Sequence, residues 1–195
     1  VDIIFHLAGV NAGSGYEPSS IELKKNNVFS TYNLLEAIKR YCSKPPLFIL
    51  MSSIHVYDKN SKFFDENDKP YPTGIYGLSK LSQEILIKNA SNLGIIRSII
   101  FRASNIYGAG CRPNYNSAIA TFCEQVKKEK EIPLFAEGKA SLDLIYIEDV
   151  IKVLKNIKVL EENHNKILNL ASGETITIKE IINALEKISD KKIKT

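Results

Sequence analysis

Apolar residues in this chain fall into two kinds of pattern. Short continuous runs recur at Ile3 to Leu7, Leu47 to Met51, Ile95 to Phe101, Leu144 to Ile147 and Ile167 to Leu170, each bounded by polar residues or glycine. Runs without alternation are the signature of strands buried on both faces. Between the first three runs the spacing changes to threes and fours. Ile21 to Tyr41 carries Leu23, Val28, Leu34, Leu35 and Ile38, and Tyr76 to Asn92 carries Leu78, Leu81, Ile85 and Leu86, which predicts two amphipathic helices. Strand and helix in alternation predict an α/β fold with a parallel sheet and right-handed crossovers. Helix punctuation agrees: Ser19 or Ser20 can cap the first helix, Asn92 to Gly94 closes the second, and Thr177-Ile178-Lys179-Glu180 is a capping box for a terminal helix to about Ser189.

Two stretches interrupt the pattern. Tyr57 to Tyr71 is a polar connection longer than usual, of the kind that is functional or mobile, and Gly108 to Asn116 is irregular, with poorer alternation after it. A domain transition is expected there, dividing 1–107 from 108–195, with 141–158 packing back on the first part. The chain opens at Val1 directly in an apolar run that reads as a buried strand, so a piece of a longer protein is expected.

Composition narrows the function classes. The 44% apolar and 25% charged content is that of a globular domain, and 26 basic against 22 acidic residues give a net charge of +4 without a dense basic block. That balance argues for an anionic small molecule rather than nucleic acid. Cys42, Cys111 and Cys123 lack C-x-x-C spacing, so neither a disulfide framework nor a metal site is expected. With no apolar stretch near 20 residues and no leader-like N-terminus, the expected setting is the reducing cytoplasm, away from membranes.

The candidate chemistry lies in Tyr76-Gly77-Leu78-Ser79-Lys80. A spacing of four puts phenol and ammonium on one helix face, and a cation beside a phenol, whose reference pKa is about 10, favours the phenolate. Alone the pair is weak evidence, because a chain with 9 tyrosines and 22 lysines holds about one such spacing by chance. Its context adds weight. In an open parallel sheet, ligands bind beyond the carboxyl ends of the strands. That rule gathers His6 to Gly9, Ser52 to Ser53, Arg102 to Asn105 and the start of the Tyr76 helix at one edge.

These positions resemble the extended short-chain dehydrogenase/reductase family, the NAD-dependent sugar-nucleotide epimerases, dehydratases and reductases. The resemblance is carried by His6-Leu7-Ala8-Gly9, Asn27 with Thr31 and Asn33-Leu34-Leu35-Glu36-Ala37, Ser52-Ser53-x-x-Val56-Tyr57, and Tyr76-x-x-Ser79-Lys80. Arg102-x-x-Asn105-x-Tyr107-Gly108 and Asp143-Leu144-Ile145-Tyr146-Ile147-x-Asp149-Val150 continue it in the family's order. It implies a partial Rossmann-type, doubly wound parallel sheet over 1–107 and a smaller substrate-binding region over 108–195. It further implies Tyr76 as catalytic acid/base, Lys80 as the ribose-binding residue that lowers the Tyr76 pKa, and Ser53 as the hydroxyl on the reacting sugar oxygen. His6, Leu7, Ala8, Gly9, Asn27, Tyr76 and Lys80 would border NAD, with NADP the alternative. Ser53 and Asn105 would meet a nucleotide sugar, and two helices would pair in a homodimer.

The implied activity is epimerization at C4. The rivals are an NADPH-dependent sugar-nucleotide reductase of surface-polysaccharide synthesis and a non-catalytic dinucleotide-binding remnant of the fold. Departures from the family pattern matter here. Neither Gly13-x-Gly15 nor Gly108-x-Gly110 completes a glycine-rich phosphate turn, so that turn and the first strands are expected before Val1, and the isolated chain is expected to bind NAD poorly. Ile54 and His55 replace the acidic pair of dehydratases, which disfavours dehydration. Leu142 stands where relatives place an arginine, with Arg112 or Lys139 as candidate substitutes. The Cys111 to Cys123 stretch resembles the reductases. Ser52 and Arg102 read as structural, and Asp143 and Asp149 as solvated carboxylates or helix caps.

Overall fold

The computed structural model describes residues 1–11, 18–60 and 64–195, and the chain forms two compact units. The Gly13-x-Gly15 stretch and residues 61–63 of the Tyr57–Tyr71 connection lie outside the described residues.

The first unit holds Val1–Asn11, Pro18–Ala103 and Ile151–Leu170. Four parallel strands build its sheet: β1 (Ile3–His6), β2 (Leu47–Ser53), β3 (Arg97–Ala103) and β6 (Lys166–Leu170), in the order β1-β2-β3-β6. Leu47, Phe48, Ile49 and Leu50 in β2 are all buried, as a continuous apolar run demands of a strand covered on both faces. β1 departs from that expectation. It is the edge strand among the described residues, and Phe5 and Leu7 are 42% and 59% exposed, because no described strand pairs beyond it. On one face α2 (Ser30–Tyr41) and α3 (Ile75–Asn92) press Leu35, Ile38, Ile87 and Ala90 against Phe48, Leu50 and Ile100.

The helix expected over 21–41 is in fact three segments: α1 (Ser20–Leu23), a π-helical stretch Lys24–Phe29, and α2. The buried positions explain the break. Leu23, Asn27, Thr31 and Leu35 are each four apart, a spacing that drifts around a 3.6-residue helix. The wider π turns hold that stripe on the inward face. Ser19 caps α1 through a complete capping box with Glu22.

The second unit holds Ser104–Val150 and Ala171–Thr195. Its sheet joins β4 (Asn105–Tyr107) parallel to β5 (Ser141–Tyr146), and β5 antiparallel to β7 (Thr175–Thr177). The helix α4 is Ala118–Lys127, α5 (Ile147–Lys155) runs from this unit into the first, α6 is Ile157–Glu162, and α7 (Ile178–Ser189) opens on the expected Thr177–Glu180 capping box. Among the described residues no helix is long and apolar enough to cross a membrane.

Candidate active site

The carboxyl end of β2 and the first turns of α3 bring the three sequence-predicted catalytic residues into one cluster. Ser53 ends β2 in an extended conformation and caps the 3-10 turn Ile54–Val56 by accepting the His55 amide at 3.3 Å. Its side chain lies near enough to the Tyr76 phenol to oppose the rise in that group's pKa. Tyr76 sits in the first turn of α3 and donates its hydroxyl to Asn11 Oδ1 at 2.8 Å, while the His55 ring meets its edge at 5.5 Å between centroids. One turn later Lys80, 7% exposed, donates to Met51 O at 3.1 Å, with its ammonium 5.9 Å from the Tyr76 ring centre.

A close backbone approach makes the cluster. A Cβ on Gly77 would lie 2.1 Å from His55 O, so only glycine lets the start of α3 seat against the turn that follows Ser53.

The electrostatics depart from the simple expectation that Lys80 lowers the phenol. Burial pushes the Tyr76 phenol up to about 12, and the opposing influence comes from the Ser53 side chain. Burial likewise brings the Lys80 ammonium down to about 8, against the attraction of Glu84. Desolvation of both groups outweighs their mutual influence, because the ammonium is directed at Met51 O rather than at the phenolic oxygen.

His6 and Asn27 lie beneath the rim rather than on it. Asn27, fully buried in the π stretch, accepts the Val10 amide at 2.7 Å and donates to Val10 O at 3.1 Å and Ser79 Oγ at 3.0 Å. Ser79 in turn donates to Tyr76 O at 2.7 Å. The Thr31 hydroxyl gives its one proton to Asn27 O at 2.7 Å, so Gln83 Nε2 at 2.7 Å and His6 Nε2 at 2.8 Å must both donate to it. His6 therefore carries a proton on Nε2, and burial and the Lys80 charge lower its pKa. Leu7, Ala8 and Gly9 form the exposed rim above. Gly9 packs closely there: a Cβ would meet Asn27 Oδ1, which already accepts the Val10 amide, at 2.9 Å.

Asn105 lies in the second unit, where its amide donates to Asp143 O at 3.1 Å. Asp143 is more than a solvated carboxylate. It accepts from Ser104 Oγ, Ser172 N and Oγ, and Gly173 N at 2.9 to 3.1 Å. Of the candidate phosphate-binding cations, Arg112 stacks on Tyr115 at 5.4 Å and Lys139 pairs with Glu137 on the surface. Gly108 and Gly110 follow β4 and stand well before α4, so they do not form a strand-to-helix phosphate turn.

Sequence reasoning missed Asn11, Gln83 and Glu84. The last two lie on the Lys80 face of α3, where the spacing of three and four from Lys80 was the available signal.

A NAD-dependent epimerase/dehydratase family model matches residues 1–171. A UDP-2-acetamido-2,6-beta-L-arabino-hexul-4-ose reductase of Pseudomonas aeruginosa is 35% identical over 158 residues, covering 80% of this chain and 37% of the relative. A UDP-glucuronate 4-epimerase of Thermodesulfobacterium geofontis is 30% identical over 171 residues, covering 87% and 51%. The crystal structure of UDP-glucuronic acid 4-epimerase from Bacillus cereus in complex with NAD superposes with a TM-score of 0.88 at 29% identity, over 100% of this chain and 62% of that one. The chain thus spans between 37% and 62% of the length of these proteins. With its parallel sheet and a match that runs through β6, the chain belongs to the NAD-dependent epimerase/dehydratase family.

Proposed function

We propose that the gene product carrying this chain is an NAD-dependent sugar-nucleotide epimerase acting at C4. The observation that carries the reading is the convergence of Ser53, Tyr76 and Lys80 at the carboxyl edge of a parallel sheet. The residues suit a nicotinamide ribose. Lys80 has three N–H donors and gives one to Met51 O, and the Leu7-Ala8-Gly9 backbone beside it is open to close approach. Asn27 serves that rim from below by holding the Val10 backbone and Ser79 of α3, and His6 lies beneath it, bonded to Thr31. The first unit is the NAD-binding part in this proposal, and the second, with Asn105, the nucleotide-sugar part.

When bound, NAD supplies the acceptor and later the donor of a hydride. Tyr76 takes the hydroxyl proton of the sugar as that hydrogen leaves carbon, and returns it after the ketosugar has turned over. Ser53 orients the same oxygen. A phenol held up at about 12 stays protonated at neutral pH, so its proton is in place for the return step. Its acceptor role relies on the Ser53 side chain, which opposes that rise. Lys80 is a cation below about pH 8 and meets the ribose as one.

The test is interconversion of UDP-glucose, UDP-glucuronate, and dTDP- and GDP-sugars followed by NMR in the presence of NAD. Epimer formation without net NADH is expected, with Tyr76→Phe slower by about 10²- to 10⁴-fold. An unchanged rate in Tyr76→Phe rejects the assignment.

A second reading is favoured by the 35% identical reductase, together with the Cys111 to Cys123 stretch. Stoichiometric consumption of NADPH by a ketosugar would select it. In either case Phe29, Tyr32, Leu78 and Ile85, between 49% and 59% exposed on the π stretch, α2 and α3, support a homodimer built on these helices. A monomer in sedimentation equilibrium would refute that assembly.

A further inference from the structure

Beneath the cluster lies a buried charge arrangement that the proposed chemistry does not use. Glu84, one turn beyond Lys80 on α3, is 1% exposed. Its Oε1 accepts from Ser52 Oγ at 2.6 Å and from Arg102 Nε at 3.1 Å, and its Oε2 accepts from Arg102 Nη2 at 2.8 Å. Ser52 and Arg102 are register partners on β2 and β3, so one carboxylate fastens the helix to the ends of two neighbouring strands. Behind it the Arg102 guanidinium lies 4.6 Å from the Tyr57 ring centre, and Arg102 Nη1 has no hydrogen-bond partner among the described residues. Tyr57 stacks on Phe64 at 4.9 Å and donates to Asn169 Oδ1 at 2.7 Å, which ties in the connection that leads to Tyr76.

We propose that Glu84 is a positioning residue that sets the separation between Ser53 on β2 and the Tyr76–Lys80 face of α3 by gathering Ser52 and Arg102 onto one buried carboxylate. The inference rests on the Ser53–Tyr76–Lys80 reading of the site. Ser52 is the neighbour of Ser53, and Met51, which precedes it, holds Lys80. A helix joined through three charge-assisted bonds in a dry interior has one discrete seat, because any slide strips a buried carboxylate or guanidinium of its partner. Reacting groups misplaced by about 1 Å lose on the order of 10²-fold in rate, so a seat of this kind bears on turnover rather than on substrate affinity.

The test uses the gene product that carries this chain. Ser52→Ala should lower kcat about tenfold with KM changed less than about twofold, and Ser52→Thr, which keeps the hydroxyl, should restore it. Glu84→Gln combined with Arg102→Met removes the pair without leaving a lone buried charge, so its urea midpoint should stay near the parent's while kcat falls by on the order of 10²-fold. A second readout needs neither substrate nor cofactor: ¹³Cε-lysine NMR of the Lys80 titration, which burial should bring down to about 8. The groups facing its ammonium are His6 from β1, Tyr76 and Glu84 from α3, with Arg102 beyond Glu84. The double variant should move the Lys80 midpoint downward, because the attracting carboxylate is gone. Parent kcat in both Ser52→Ala and the double variant, with an unmoved Lys80 midpoint, overturns the proposal and leaves Glu84–Arg102 as packing alone. A parent that turns over no nucleotide sugar refutes the proposed function instead, and the titration then still decides whether Glu84 acts on Lys80.

Discussion

Replacing Lys80 with methionine should stabilise the protein at neutral pH while removing its proposed activity, and the gain should fade as the solution becomes alkaline. Lys80 is 7% exposed, and burial brings its pKa from 10.5 to about 8. The sign follows from linkage. Between those two values the unfolded chain binds the proton that the folded chain releases, so stability rises with pH across the window. Below pH 8 the folded state bears the full cost of an enclosed ammonium. With 1.36 kcal/mol per unit, that cost is about 3 kcal/mol at pH 7 and falls to about 1 kcal/mol at pH 10. Loss of the Lys80–Met51 hydrogen bond offsets about 1 kcal/mol at each pH and leaves the difference between them untouched. Urea unfolding of parent and Lys80→Met, followed by circular dichroism at pH 7 and pH 10, measures that difference directly. The Tyr76 phenol, raised to about 12, makes folding less favourable above pH 10, but it is present in both proteins and largely cancels. The stability gap between the two should shrink by about 2 kcal/mol from pH 7 to pH 10. A gap that does not change with pH would show that Lys80 is hydrated in the folded protein, and the account of a desolvated ammonium beside Tyr76 would fail with it.

Two further substitutions probe backbone and loop. Gly77→Ala puts a methyl group 2.1 Å from a main-chain carbonyl that cannot swing aside, so it should cost more than about 2 kcal/mol in urea unfolding and should slow the Tyr76 chemistry. Wild-type stability would mean that α3 is not seated against the turn after Ser53. Asp143→Ala removes the acceptor for Ser104, Ser172 and Gly173, and should cost about 2–4 kcal/mol, with hydrogen exchange accelerated at the Ser172 and Gly173 amides. Exchange at the parent's rate would reject Asp143 as the anchor of that loop.

The strands of the first unit were legible because burial on both faces leaves a one-dimensional trace: Leu47 to Leu50 and Ile99 to Phe101 are apolar at successive positions. β4 and β7 left none, since three residues are too few to show a period. The cluster of Ser53, Tyr76 and Lys80 was legible through helical spacing and through the rule that strand ends gather ligands. What the sequence did not disclose is the layer beneath. Glu84 meets Arg102 across 18 residues, His6 meets Thr31 across 25, and Asn27 meets Ser79 across 52. Nothing in a single sequence encodes such pairings, because each partner alone looks like an ordinary polar residue on a helix or strand. The spacing of Leu23, Asn27, Thr31 and Leu35 was nevertheless a usable signal. Two polar residues on an otherwise apolar stripe, each four from the next, require partners from outside the helix once buried, and a helix that keeps such a stripe facing inward must widen. The π stretch and the commitment of Asn27 to Val10 and Ser79 are thus one feature: the widened turn exists because the amide must reach both. In the proposed reading Asn27 holds the floor of the site, and a nicotinamide would meet the rim above it, Leu7 to Gly9 and Lys80.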